Sequence, residues 1–392
     1  MKILILSSFA FSLVNFRGRL IEAMVREGHQ VITCAPDDDP AVQRQLTALG
    51  AGYRRIAMAR TGSNPLADLL LLLRYVRLIA RERPDVVLAY TQKPIIYGGM
   101  AARLFPKARF YALMSGLGYV FSPAAEHRRL LRAIVGWLYR LGVARARAIF
   151  VFNRDDRDEL IAQDIVDAAA LVVEVPGSGV DLAHFAPMPL PEGPPRFLMI
   201  SRLMRDKGVF EYAEAARHLK ARYPEARFQL LGRLDKDNPT GLSEAELDLW
   251  VRHGIIDYVP ETRDVRPLLA QSSVFVLPSY YREGLPRTLL EAMSVGRPLI
   301  TTDLPGCREP VLSGVNGFLV PPRDVKALGV AMERFLTDPA LAAAMGARSR
   351  AYAENRFDVN KVNRQLMRAM HIGGVEPQDA LDMPAAISWS AG

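Results

Sequence analysis

Cysteine is nearly absent from this chain of 392 residues: Cys34 and Cys307 stand 273 positions apart, with no CxxC spacing and no histidine cluster beside either. A disulfide framework and a zinc site are thereby excluded, and a reducing, cytoplasmic compartment is expected. Long apolar runs are also missing. The longest, from Pro65 to Leu73, holds Asp68 and is followed by Arg74 and Arg77, well short of the roughly 20 residues that a membrane span takes. Lys2 precedes a mostly apolar opening, but no small-x-small cleavage pattern follows, so Ile3 to Leu6 reads as a buried first strand rather than a secretion signal. No repeat of 20–50 residues is present. No DxD pair follows a strand in a metal-binding context, and Asp37-Asp38-Asp39 reads as a solvated turn. No metal and no cofactor are expected.

What is there is an ordinary globular composition with an uneven charge. Lys+Arg number 50 against 42 Asp+Glu, a net charge of +8, in a chain long enough for two domains. Residues 1–190 carry +7 of that excess and residues 191–392 only +1. Within residues 101–150 there are nine Lys/Arg and one acid, Glu126. Arg128, Arg129, Arg132 and Arg140 alternate with Leu130, Leu131, Ile134, Trp137, Leu138 and Leu141 at the spacing of an amphipathic basic helix. Such a helix suits either a solvated face over a core or an anionic membrane surface. No nucleic-acid-binding motif accompanies the charge, so no nucleic acid is expected.

Six prolines and three glycines crowd the twenty residues from Pro176 to Pro195, a composition that continues neither helix nor central strand. On both sides short apolar runs alternate with longer helical patterns. The runs are Lys2–Leu6, Gln30–Ala35, Asp85–Tyr90, Arg109–Leu113 and Ala148–Phe152, then Phe197–Ser201, Arg227–Gly232, Val274–Pro278, Leu299–Thr302 and Gly317–Val320. This alternation predicts an α/β fold of two doubly wound, Rossmann-like domains facing across a cleft, with ligands at the carboxyl ends of the strands. The expected division is 1–180 for the first domain, 181–195 for the linker and 196–351 for the second domain. A helix over 352–372 then crosses back to the first domain, and 373–392 form a tail.

Two clusters carry chemistry. In the segment from Pro278 to Gly306 a strand leads into a loop with Glu283 and Gly284, then a helix through Thr288 and Glu291. The start of that helix favours an anion such as a diphosphate, and the two carboxylates suit sugar and ribose hydroxyls on either side of it. In the segment from Ile200 to Lys220, Arg202 and Lys207 flank a loop closed by Gly208, and two cations beyond a strand end suit a diphosphate as well.

These residues resemble the retaining nucleotide-sugar glycosyltransferases of glycosyltransferase family 4, which have the GT-B fold. The likeness rests on Ser201-Arg202-Leu203 with Lys207-Gly208, on the Glu283-to-Glu291 segment, and on Gly314 to Val320. It is strongest for the bacterial branch that extends polyprenyl-diphosphate-linked sugars, typified by the N-acetylgalactosaminyltransferase of the N-glycosylation pathway. That narrower likeness rests on Asn15-Phe16-Arg17, Lys93-Pro94 with Tyr97-Gly98, Ser115 to Phe121, and Thr302 to Glu309.

The resemblance implies a set of roles. Arg202 and Lys207 would bind the donor diphosphate, Glu283 the transferred sugar and Glu291 the ribose. The backbone from Gly284 through Leu285 and Pro286 to Thr288 would cradle phosphate and sugar, and the loop near Tyr258 and Val259 would meet the base. Asn15, Arg17, Lys93, Ser115, Gly116, Gly118 and Tyr119 would meet the acceptor. Many relatives place a histidine after the strand that reads Phe110–Met114, where this chain has Ser115 and Gly116. Without it, a front-face route is expected, in which a donor phosphate oxygen takes the acceptor's proton. The implied activity is transfer of an N-acetylhexosamine or hexose from a UDP-sugar to a polyprenyl-diphosphate-linked saccharide, by a protein held peripherally on the cytoplasmic face of the inner membrane. The rival readings are a UDP-sugar 2-epimerase of the same architecture, disfavoured by the lack of a cleft histidine, and a transferase with a soluble acceptor.

Overall fold

The protein is described by a computed structural model over residues 1–59, 64–116, 129–235, 238 and 240–373. Two parallel sheets organise it. The first contains β1 (Lys2–Leu6), β2 (Gln30–Ala35), β3 (Gly52–Arg55), β4 (Val86–Tyr90), β5 (Arg109–Met114), β6 (Ala148–Val151) and β7 (Val172–Glu174), in the order β3-β2-β1-β4-β5-β6-β7. The second contains β8 (Arg196–Ile200), β9 (Arg227–Leu231), β10 (Asp257–Val259), β11 (Val274–Leu277), β12 (Leu299–Thr302) and β13 (Gly317–Val320), in the order β10-β9-β8-β11-β12-β13. Each strand order reverses beside the first strand of its sheet, and that reversal opens a crevice at the carboxyl ends.

The central strands are apolar throughout because both faces are covered. Along β1, Ile3 and Ile5 enter one core while Leu4 and Leu6 enter the other. Along β4, Val86, Leu88 and Tyr90 go one way and Val87 and Ala89 the other. Alternation of side-chain direction with no alternation of polarity is the mark of a strand buried on both sides. All ten expected strands are present to within a residue or two. The three that the pattern does not reveal, β3, β7 and β10, are all edge strands of three or four residues with half-buried or exposed side chains, where no continuous apolar run is needed.

The proline-rich connection is fastened to the second domain by Arg297, whose side chain is fully buried. Its guanidinium donates to the carbonyls of Leu269, Met188, Val295, Pro189 and Ala270 at 2.8–3.2 Å. Burial pulls its pKa down to about 10, yet the ring of carbonyls satisfies its donors. The chain then returns to the first domain, but not as one helix. The expected helix over 352–372 is two pieces: the Pro339–Tyr352 helix ends, a wide turn spans Ala353–Phe357, and Asp358 caps a new helix, Val359–Ala369, by accepting from Asn360 N–H at 2.9 Å. The break lets Val362, Leu366 and Met367 join the core that holds Ile3, Ile5 and Leu20.

Candidate active site

A cleft of about 940 Å³ opens at the carboxyl ends of both sheets. Its second-domain wall is built on β8 and β11. After β8 the chain carries Arg202 and Lys207, and Gly208 (φ +78°) turns it into the Val209–Lys220 helix. A Cβ at Gly208 would sit 2.2 Å from the Pro278 carbonyl, so only glycine lets this loop lie against the end of β11. That contact brings Lys207 to Glu283, and the two form an ion pair in which Ser279 Oγ also donates to the Glu283 carboxylate, at 2.9 Å. Arg202 pairs with Asp235 at 3.1 Å, half exposed at the cleft rim.

The expected helix begins at Arg287, with Pro286 as its N-cap, and ends at Ser294. Gly284, Leu285, Pro286 and Thr288 all line the cleft, as do Glu283 and Glu291. One turn into the helix, Glu291 pairs with Arg287 at 3.0 Å. Burial nonetheless dominates and pushes the Glu291 carboxyl up to about 7. The base-side assignment needs correction. Tyr258 and Val259 lie in the edge strand β10, and the Tyr258 hydroxyl is spent on the Gly232 carbonyl at 2.9 Å. The residues that line this end of the cleft are Gly232, Arg233 and the loop 261–265 that follows β10. His184, from the linker, also reaches the cleft wall, which corrects the expectation of a cleft without histidine.

On the first-domain wall Arg17 stands out. It is 3% exposed, it lines the cleft, and its Nε has no hydrogen-bond partner among the described residues. The guanidinium lies 5.2 Å from the Tyr90 ring centre and 5.9 Å from that of Phe152, a packing that offers cation–π attraction but no counter-charge. Burial lowers its pKa to about 10. Asn15 and Ser115 also line the cleft. So does Thr91, at the end of β4, which holds a φ of +68°; for a β-branched residue that conformation is strained, and strain of this kind clusters at functional sites.

Lys93 does not line this cleft. Its ammonium pairs with Asp68 at 2.8 Å, both side chains largely buried, so its charge is already neutralised. Gly116 serves the contact between domains. A Cβ on it would meet Gly284 N at 2.7 Å, one on Gly284 would meet the Ser115 carbonyl at 2.2 Å, and one on Gly306 would meet the Gly284 carbonyl at 2.4 Å. Gly116 and Gly284 thus let the two domains touch backbone to backbone, and Gly306 packs against Gly284 from within the second domain. Around that seam Asn153 Nδ2 donates to the Gly284 carbonyl at 3.0 Å, Arg282 reaches Asp156 at 3.3 Å and Glu159 at 3.4 Å, and Arg287 donates to the Asn15 carbonyl. Gly118 and Tyr119, the remaining expected acceptor residues, lie outside the described residues.

The basic segment around the Arg129–Val143 helix divides in a way the sequence did not anticipate. Val135, Tyr139 and Val143 enter the core, and Leu138 and Leu141 are half-buried, but Leu130, Ile134 and Trp137 face outward, Trp137 at 59% exposure. Arg132 is engaged with Glu159, whereas Arg129 and Arg140 are exposed. A second outward apolar row lies on the Pro65–Glu82 helix, where Leu66, Leu69, Leu70 and Leu73 are about half exposed or more. Among the described residues no helix is long and apolar enough to cross a membrane.

The cleft can be set against known proteins. The sequence family "Glycosyl transferase 4-like domain" matches residues 14–177, and "Glycosyl transferases group 1" matches residues 182–352. The chain belongs to the glycosyltransferases. Among curated relatives of this glycosyltransferase is the N,N'-diacetylbacillosaminyl-diphospho-undecaprenol alpha-1,3-N-acetylgalactosaminyltransferase of Campylobacter jejuni, 25% identical over 381 residues, covering 94% of this chain and 98% of that protein. Another is the UDP-Gal:alpha-D-GlcNAc-diphosphoundecaprenol alpha-1,3-galactosyltransferase of Escherichia coli, 26% identical over 308 residues, covering 75% and 77%. Among solved structures, Anabaena HepE in complex with UDP superposes with a TM-score of 0.76 at 20% identity, covering 95% of this chain and all of that one. The enzyme therefore has the GT-B fold: two Rossmann-like domains with the cleft between them.

Proposed function

We propose that this glycosyltransferase moves an N-acetylhexosamine or hexose from a UDP-sugar to a polyprenyl-diphosphate-linked saccharide, with retention of anomeric configuration. The observation that carries the reading is the arrangement of cations in the cleft. Arg202 and Lys207 stand beyond the end of β8, and Arg17 lines the same cleft from the first domain, its Nε without a partner among the described residues. A cleft so equipped suits two phosphorylated substrates. On the second-domain side, Lys207 exchanges Glu283 for the departing diphosphate and Glu283 turns to the sugar hydroxyls, so that no cofactor or metal is required. On the first-domain side, Arg17 takes the acceptor's phosphate. The names of the relatives support both halves: diphospho-undecaprenol acceptors in the Campylobacter and Escherichia enzymes, and a UDP-galactose donor in the latter.

The two glutamates separate by experiment. Glu283→Gln is expected to cut transfer strongly and leave UDP affinity within about threefold, whereas Glu291→Gln weakens UDP binding by about tenfold, the size of one lost charged hydrogen bond. The pH dependence has a definite sign. Ribose hydroxyls donate to a carboxylate, and the Glu291 carboxyl ionises around 7, so UDP affinity of the wild type, relative to Glu291→Gln, should improve by up to about tenfold from pH 6 to 8. Calorimetry at several pH values reads this directly; a ratio that stays flat removes the ribose role. In the ligand-free protein the raised value means that this group's contribution to stability is lost as pH climbs from 4.5 through about 7.

Membrane docking is part of the same reading. The outward rows on the Pro65–Glu82 and Arg129–Val143 helices both belong to helices packed on the segment Pro94–Gly98, and the cations Arg129 and Arg140 border the second. Apolar side chains rimmed by cations suit the interface of an anionic leaflet. Leu130→Glu with Trp137→Glu should abolish co-sedimentation with anionic vesicles while UDP binding persists; equal sedimentation of wild type and variant would refute docking by this face.

A further inference from the structure

A second concentration of charge lies far from the cleft. We propose that an open cavity at the amino ends of β5 and β6, the opposite end of the first sheet from the catalytic cleft, is an anion site that takes a phosphate-bearing ligand. The cavity measures about 410 Å³ and is walled by Arg103, Arg109, Arg145 and Arg147, with Phe105 and Phe110 among its apolar sides and no acidic residue among the described residues of its lining. Four of the nine cations that crowd residues 101–150 therefore converge here and not on the basic helix.

Part of this charge has a local use. Arg103 donates to the Leu141 carbonyl at 3.2 Å, close to the end of the Arg129–Val143 helix, and Arg109 donates to the Met370 carbonyl at 3.1 Å, which ties the crossing helix to the sheet. Arg145 and Arg147 have no such use: their side chains make no ion pair or hydrogen bond among the described residues. Four like charges around one cavity repel one another, and guanidinium forks match phosphate oxygens two bonds at a time. Phe105, half-buried beside the core residue Phe110, gives the body of a phosphate ester an apolar surface to lie on. An anion held by Arg145 and Arg147 would also bear on Arg109, and through it on the end of the Val359–Ala369 helix that packs back onto the first domain.

The ligand's source is either a dissolved phosphate compound or a lipid headgroup, and the test has an arm for each. In the first arm, inorganic diphosphate is titrated by calorimetry at physiological salt into the full chain saturated with UDP, for wild type and for Arg145→Glu with Arg147→Glu. In the second, vesicles of phosphatidylglycerol or of phosphatidylcholine replace the diphosphate. The proposal expects binding that the double variant weakens at least about tenfold, the loss of two charge-assisted bonds, in the diphosphate arm for a soluble ligand or in the phosphatidylglycerol arm for a headgroup. UDP binding in the cleft should be the same in both proteins, which keeps this test separate from the assignment of the donor site. Equal binding by wild type and variant in both arms, or none in either, overturns the proposal.

Discussion

Lys207→Ala is expected to lower turnover by two or more orders of magnitude, about 3 kcal/mol of lost charge stabilisation as the nucleotide diphosphate departs. The ammonium is largely buried and joined by its ion pair to the loop that carries Glu283. Alanine removes the cation and also strands a carboxylate in the same enclosed position, so the variant should melt at a lower temperature as well. Glu283→Gln added to Lys207→Ala separates the two effects: it should recover the stability, because no unpaired charge is left, and leave turnover low. The measurements are single-turnover transfer and thermal melting on all three proteins. A folded Lys207→Ala protein that turns over within threefold of wild type would remove the diphosphate role of this residue.

Arg297→Leu should be the most damaging change to stability, costing about 3 kcal/mol or more. The guanidinium donates to the carbonyls of Met188, Pro189 and Ala270, and to those of Leu269 and Val295, which also accept from Ser272 and from Met188 N–H; leucine of similar bulk takes the side-chain donor from the first three, and each unsatisfied group costs roughly 1–3 kcal/mol before relaxation. Arg297→Lys should fall between, since an ammonium has three donors and no planar fork. Denaturant midpoints read the series, and the molecules still folded should transfer sugar at the normal rate. A leucine variant as stable as wild type would mean that the linker holds its course without the guanidinium.

The contrast between these residues shows what a sequence discloses. The central strands were legible because burial on both faces demands unbroken apolar runs, and the cleft-lining loops after β8 and β11 were legible because a strand, a glycine and a charge follow one another in the chain. Arg297, in the segment Gly296-Arg297-Pro298, looks like any surface arginine after a turn; its five acceptors come from segments up to 109 positions away. Lys93 fails for the same reason in reverse, since Asp68, which neutralises it, stands 25 residues back on another helix. Gly116 reads as freedom for a ligand, but its neighbour is Gly284, 168 positions later. The loop 261–265 carries polar residues with no periodicity, and only the position of β10 brings it to the cleft. Residues whose meaning depends on local order were readable, and those whose meaning depends on a distant partner were not.

The glycine seam has a kinetic consequence. The loop that runs from Arg282 through Gly284 to Arg287 is at once a wall of the cleft and the part of the second domain that the first domain grips, through Asn153, Asp156 and Asn15. With no side chains padding the contact between Gly116 and Gly284, a separation of the domains of even an ångström or two empties it completely. In the proposed reaction, admission of a sugar nucleotide and release of the spent one would then share a single mechanical step, the parting of that seam. The catalytic cycle would be timed by a hinge, and substitutions at Asn153 or Arg282, which hold the seam and are not among the residues lining the cleft, should change how fast product leaves before they change how fast the bond is made.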